Sequence, residues 1–197
     1  DNEIIDNRIH GVRAYGMYTA FHRGLVDGNT FYDCGGYAIH HYQSSHTVDN
    51  WIFRNNTFYR NGRRYVVRTG VRTDPALIIT RGTGNQVYNN IVYDNWAGIL
   101  VGLGASDTLV ANNTVYGNDV YGINVDNAYS GSLNARVVNN IVWNNGGTNI
   151  RDIATGTRIE ANLTTDPRFV YVTAMPAPDF RLMPGSPAID MGLSLME

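Results

Sequence analysis

His40, His41 and Tyr42 stand side by side, and a group of arginines follows at Arg60, Arg63, Arg64, Arg68 and Arg72, with Arg81 beyond them. An imidazole can take a proton near neutral pH, and a phenol can return one. A guanidinium fork pairs both oxygens of a carboxylate. Together these groups suit β-elimination on a carboxylated sugar: His40 or His41 as base, Tyr42 or Tyr18 as acid, Arg81 or Arg68 against the carboxylate. The set read as catalytic is His40, Tyr42 and Arg81. The set read as binding is Tyr18, Arg63, Arg64, Arg68, Arg72, Leu100, Asn124, Asp126 and Arg151. A plainer reading stands beside it, in which the arginines are solvated loop charges or partners of Asp74 and similar neighbours, and His41 is a hydrogen-bonded core residue.

Other chemistries find less support. Glycoside hydrolysis needs two carboxyls facing each other across the scissile bond. Asp126 has no acidic neighbour in the same columns, and Asp152 falls elsewhere in its coil. Elimination is therefore favoured over hydrolysis if the chain is an enzyme at all. A calcium site needs several converging carboxylates, whereas Asp107, Asp119 and Asp126 fall in different turns. No metal and no cofactor is expected.

What must position these residues is a repeat. The phrase Val87-Tyr-Asn-Asn-Ile-Val-Tyr-Asp-Asn95 returns as Val110-Ala-Asn-Asn-Thr-Val-Tyr-Gly-Asn118, as Val137-Val-Asn-Asn-Ile-Val-Trp-Asn-Asn145, and earlier as Phe53-Arg-Asn-Asn-Thr-Phe-Tyr-Arg-Asn61. Taking the second Asn as a mark gives Asn7, Asn29, Asn56, Asn90, Asn113, Asn140 and Asn162, at intervals of 22, 27, 34, 23, 27 and 22 residues. An apolar residue stands three places before every mark, and another two places after most of them. Period-two alternation of β-branched and aromatic residues predicts short strands.

A third apolar anchor, Met17, Ile39, Ile78, Ile99, Ile123 and Ile150, closes each coil. Three short strands in about 22 residues, each too small to bury its own face, predict a stack of coils. The Asn marks then pile up at one turn, where left-handed backbone is tolerated. A second column holds Asn61, Asn95, Asn118 and Asn145, with Cys34 in the same place one coil earlier.

The insertions that lengthen some coils flank the third strand, so they wall the outer face of that sheet. Residues following the anchors should line this floor: Tyr18, His40, Ile79, Leu100, Asn124 and Arg151 in one column. Ala20, Tyr42, Arg81, Gly102, Asp126 and Ile153 should form the next.

Composition bounds the rest. At 197 residues the chain is one domain with a continuous core. Net charge is -2, which argues against a nucleic-acid partner. Every basic residue is Arg, so no mechanism with a Lys base applies. A lone cysteine forms no internal disulfide. No stretch is long and apolar enough to insert in a membrane. The chain opens inside a coil, so a further segment or a partner is expected to cover the first one.

The Asn-Asn-x-[Val/Phe]-Tyr-x-Asn phrases followed by Gly-Ile resemble the repeats of the right-handed parallel β-helix superfamily, which includes pectate-lyase-like proteins. The tail, Asp166-Pro-Arg-Phe169 and then Asp179-Phe-Arg-Leu-Met-Pro-Gly-Ser-Pro-Ala-Ile-Asp-Met-Gly192, resembles a closing segment of secreted bacterial members. The resemblance implies an all-β solenoid of six to seven three-stranded coils over residues 1–161, with a cap at 162–197. It also implies an extracellular or cell-surface protein that engages a polysaccharide, and the arginines suggest an acidic one. The paired-Asp and Gly-His-Gly motifs of pectin-hydrolysing members are missing, as is the Asp-Pro-His-Glu motif of uronate epimerases. A non-catalytic carbohydrate-binding or adhesive segment of a larger surface protein is the alternative.

Overall fold

The computed structural model describes all residues except 1, 46, 64, 68, 69, 73, 128–130, 174–176 and 196–197, with backbone alone for 65–67 and 70–72. Among the described residues it holds three parallel sheets and no helix. The first sheet runs from Asn2–Ile5 through Trp51–Arg54 to Arg158–Glu160 and has seven strands; the second runs from Arg8–His10 to Ile141–Trp143 and has six. The third, also six-stranded, comprises Met17–Thr19, Ile39–His41, Pro75–Thr80, Ala97–Gly102, Tyr121–Val125 and Thr148–Asp152. Each strand pairs with its equivalent one coil away, the geometry of a β-solenoid with rungs about 4.8 Å apart.

Alternation in the sequence becomes an interior of aligned side chains. Val26, Phe53, Val87, Val110 and Val137 share one inward file; Phe31, Phe58, Val92, Val115 and Val142 share the next. All ten are fully buried. Each such side chain stabilises the stack by about 1.5–3 kcal/mol relative to exposure. No strand could bury its own face alone, so coil pairing and core formation are one event.

The Asn marks form a one-way hydrogen-bonded file. The backbone N–H and the Nδ2 of Asn29 both donate to Asn56 Oδ1, at 2.9 and 3.0 Å. Asn56 does the same to Asn90, Asn90 to Asn113, and Asn113 to Asn140. Each buried amide also reaches back a coil, as Asn56 Nδ2 does to Val26 O at 2.9 Å. The left-handed turn itself belongs to the residue before the mark, not to the mark: Asn55, Asn89, Asn112 and Asn139 have φ of 54 to 57°. The doubled Asn thus has two jobs, the first residue bending the chain and the second bonding between coils. The second file runs Cys34, Asn61, Asn95, Asn118, Asn145 as expected.

One expected register is off by a residue. Leu77, not Ile78, pairs with Ile39 and Ile99 on the inward side, so Ile78 lies in the outward column with His40 and Leu100, and Ile79 faces the core beside His41. The cause is the strand Pro75–Thr80, which is buried along its whole length on both faces. A strand covered on both sides reads as a continuous apolar run, and its parity cannot be read.

From Phe169 the tail forms an antiparallel pair, Phe169–Tyr171 with Asp179–Leu182. It lies along the second sheet, where Phe180 packs against Tyr93 and Tyr116 at 5.4 and 5.8 Å between ring centres. The outward phenols of the second sheet thus hold this part of the tail along the side of the stack. Its end is held by Asn139, which donates to Leu193 O and accepts from Leu193 N–H at 2.8 Å each.

Candidate functional site

The third sheet presents Tyr18 and His40 on its outer face at the N-terminal half, with Tyr42 directly after the second strand. Tyr18 and His40 are register partners on adjacent strands. The imidazole of His40 lies between two parallel rings, Tyr37 at 4.5 Å and Tyr42 at 5.4 Å, with interplanar angles of 12° and 7°. Tyr18 and Tyr15 meet it edge-on at 4.9 and 5.1 Å. Burial raises the Tyr18 phenol above its usual pKa, helped by the neighbouring Tyr42 and Tyr15. This phenol therefore keeps its proton at neutral pH.

Arg81 comes close to Tyr42 from the following turn. It does not share the second outward column: Thr80 takes that register opposite Gly102, and the Thr80 hydroxyl donates to His41 O at 2.7 Å. Arg81 sits in the following turn with φ of 47°, a left-handed conformation that Arg rarely adopts. From there its guanidinium lies 5.6 Å from the Tyr42 ring and donates to Ser44 O at 3.1 Å. A depression of about 310 Å³ opens beside it, lined by Ser44, Ser45, Thr47, Arg81, Thr83 and Gly104 among others.

His41 points the other way. Its Nε2 donates to Val48 O at 2.9 Å, which fixes the tautomer and lets Nδ1 accept from the Thr19 hydroxyl at 2.7 Å. Burial lowers its pKa to about 4, so it is neutral. Core packing accounts for it fully.

The remaining predicted residues separate into three groups. Leu100, Asn124 and Arg151 do share the outward column, with Asp126 next to Gly102 as expected. Arg63 is not part of a wall on this face: its Nη2 is paired with Asp94 Oδ1 and lies 3.4 Å from Asp119 Oδ1 at the turn between the second and third sheets. Arg60 is likewise bonded to Asp33 by two contacts of 2.8 Å over Tyr59. For these two, the reading as paired loop charges holds, because acidic residues of adjacent coils stand at the same turn. Arg64, Arg68 and the side chain of Arg72 lie outside the described residues. Among the described residues no three His, Cys, Asp or Glu side chains gather as a metal site requires.

Sequence reasoning missed a ladder on the second sheet. His10, Tyr32, Tyr59, Tyr93, Tyr116 and Trp143 share one outward register, and the first four rings stack at 4.5 to 5.2 Å. The signal was present, since each stands three residues after an Asn mark. Tyr37 was also missed as a ring stacked on His40.

The model of the right-handed β-helix region matches residues 72–170. The chain belongs to the right-handed β-helix family. No curated protein sequence matches it. Among solved structures, pectate lyase Pel9A is similar at 11% identity and a TM-score of 0.52, covering 96% of this chain and 66% of that one. The A-module of the Azotobacter vinelandii mannuronan C-5 epimerase AlgE6 is similar at 14% identity and a TM-score of 0.50, covering 84% of this chain and 58% of that one. The β-helix of this chain thus spans less than two thirds of either structure. At such identities the likeness is one of fold.

Proposed function

We propose that the outer face of the third sheet engages an acidic, uronate-containing polysaccharide outside the cell and cleaves it by β-elimination. One observation supports the reading: the His40 and Tyr42 rings stack at 5.4 Å, Tyr18 meets His40 edge-on, and the Arg81 guanidinium lies 5.6 Å from the Tyr42 ring. Pectate lyase and mannuronan epimerase, by name enzymes of acidic glycans, support the choice of polymer class.

In the proposed step Arg81 pairs with the carboxylate and makes the adjacent C5 proton more acidic. The His40 imidazole takes that proton. The C–H electrons become the C4=C5 double bond as the C4–O bond breaks, and the phenol of Tyr42 or Tyr18 gives its proton to the leaving oxygen. Positioned acid and base contribute on the order of 10²- to 10⁴-fold each. The raised pKa of Tyr18 suits a proton donor rather than a base.

A second reading has an observation of its own. Tyr37 and Tyr42 cover both faces of His40, and a five-ring cluster of this kind is equally a sugar-binding platform. A panel of alginate, pectate and glycosaminoglycans, followed by ultraviolet absorbance of the unsaturated product and by affinity electrophoresis, separates the two. New absorbance with one polymer, lost in His40→Ala, supports elimination. Retarded migration without absorbance supports binding alone, and neither signal removes the polysaccharide reading.

A further inference from the structure

We propose that two copies of this chain join through the last strand of the first sheet, Arg158–Glu160, as a twofold antiparallel pair centred on Ile159. This strand ends the seven-stranded sheet, and among the described residues no strand pairs its outer edge. All three of its residues are exposed, Ile159 at 45%. The tail hairpin packs along the second sheet and leaves this edge bare. An open edge of this kind is a template for another strand.

The preceding coil fixes which backbone groups face outward. Arg158 N–H donates to Ala135 O at 2.8 Å, and Asn139 N–H donates to Glu160 O at 3.3 Å. Backbone groups alternate in direction along a strand, so the N–H and C=O of Ile159, between these two, point to the free edge. Two copies related by a twofold axis at Ile159 exchange both bonds there, as a hydrogen-bonded antiparallel pair does. The Ile159 side chain continues the inward file of Val110 and Val137. Paired across the axis, the two Ile159 side chains therefore extend one core into the other.

The flanking charges make the strand complementary to itself. In this register Arg158 of each copy stands opposite Glu160 of the other, both on the outer face. Within one copy the register neighbour of Arg158 is Arg136, a like charge, and Glu160 lies 3.6 Å from Arg136. The second copy thus brings a carboxylate to each Arg158, and cross-strand pairs of opposite charge are favourable. Stacking the last coil on the first strand of another copy, Asn2–Ile5, fits less well. Ile4 and Ile159 belong to one file, so that arrangement sets Glu160 against Ile5 and repeats without closing.

The test is sedimentation of the intact protein from about 1 μM to about 500 μM, where mass action reveals a weak dimer. A monomer–dimer equilibrium that goes no further is expected. Arg158→Glu and Glu160→Arg should each raise the dissociation constant about 10-fold or more, and the double variant should restore it, since only the signs are exchanged. Ile159→Pro removes an N–H that makes no bond within the copy, a place where an edge strand tolerates proline, and should leave monomer alone. Unfolding midpoints close to the parent's show that the variants fold. A parent that stays monomeric throughout overturns the inference. So does a dimer that the charge variants do not weaken, or one that the double variant fails to restore. Species that grow past the dimer also overturn it and point to stacking on the first strand. Polysaccharide binding is measured separately and is decided by none of these outcomes.

Discussion

His41 accepts a hydrogen bond from the Thr19 hydroxyl of the coil before it at 2.7 Å, and this contact separates two adjacent histidines into different roles. One ring is locked in the interior as a neutral base, while the other stands among tyrosines on the surface. Strand alternation does this in a single residue step.

The interior ring makes stability depend on pH. Burial depresses the folded pKa of His41 from 6.5 to about 4. Above pH 6.5 the ring is neutral in both states and its contribution is complete. As pH falls from 6.5 towards 4 the unfolded chain takes up a proton that the folded chain refuses, so stability is lost, on the order of 3 kcal/mol in full. Urea midpoints at pH 7, 5.5 and 4.5 should fall more steeply in the parent than in His41→Gln. Parallel lines for the two proteins would mean the ring is not the source.

On the outer face, His40→Ala should lower the elimination rate by at least 10²-fold with unfolding midpoints close to those of the parent. Arg81→Ala should weaken binding about 10- to 100-fold, since the exposed guanidinium supplies a charged hydrogen bond worth about 1.5–3 kcal/mol, and should also slow elimination, since the C5 proton loses its acidifying partner. Tyr18→Phe and Tyr42→Phe, compared side by side, identify the acid as whichever loses rate without loss of affinity.

Removing one amide from the file should be costly in the middle and mild at its end. Asn90→Ala leaves the buried N–H and Nδ2 of Asn56 without their acceptor, and also deprives Phe53 O of a donor. A loss of about 3 kcal/mol or more is expected from such buried unpaired groups. Asn162→Ala, in a half-buried coil, should lose about 1 kcal/mol. Equal losses at both positions in denaturant titrations would contradict the file as a cooperative element.

Cys34 occupies an Asn position, and its buried thiol is pushed up to about 12. Its Sγ lies 3.8 Å from Tyr32 O and 4.0 Å from Ile9 O, the carbonyls that an amide would bond at normal length. The native protein should resist thiol reagents at pH 8 and react once unfolded. Cys34→Asn should stabilise by about 1 kcal/mol, read as a higher denaturant midpoint. A lower midpoint would show that the space beside Gly16 is too small for the amide.

Much of this was legible in the sequence because a solenoid writes its contacts as intervals. Asn56, Asn90 and Asn113 are neighbours in space because they are equivalents in the repeat, and the same logic placed Tyr18 beside His40. The ladder through Tyr32 and Tyr59 is equally regular, each ring standing three residues after its Asn mark. What could not be read depends on departures from the repeat. The parity of Ile78 was lost in a strand covered on both faces, and the partners of Arg63 stand one and two coils away at a turn whose charges follow no pattern. The left-handed backbone of Arg81, which aims it at Tyr42, has no signature in residue type.

The amide files run in one direction only, each coil offering hydrogens to the next and an oxygen to the one before. A duplicated segment of twenty-odd residues, cut at equivalent Asn pairs, would find both neighbours already complementary to it. Growth and shrinkage by whole rungs therefore need no repair elsewhere, whereas a reversed or partial rung would leave oxygens facing oxygens. Such a molecule can change its length over generations by simple copying errors, and keep its surface chemistry while doing so.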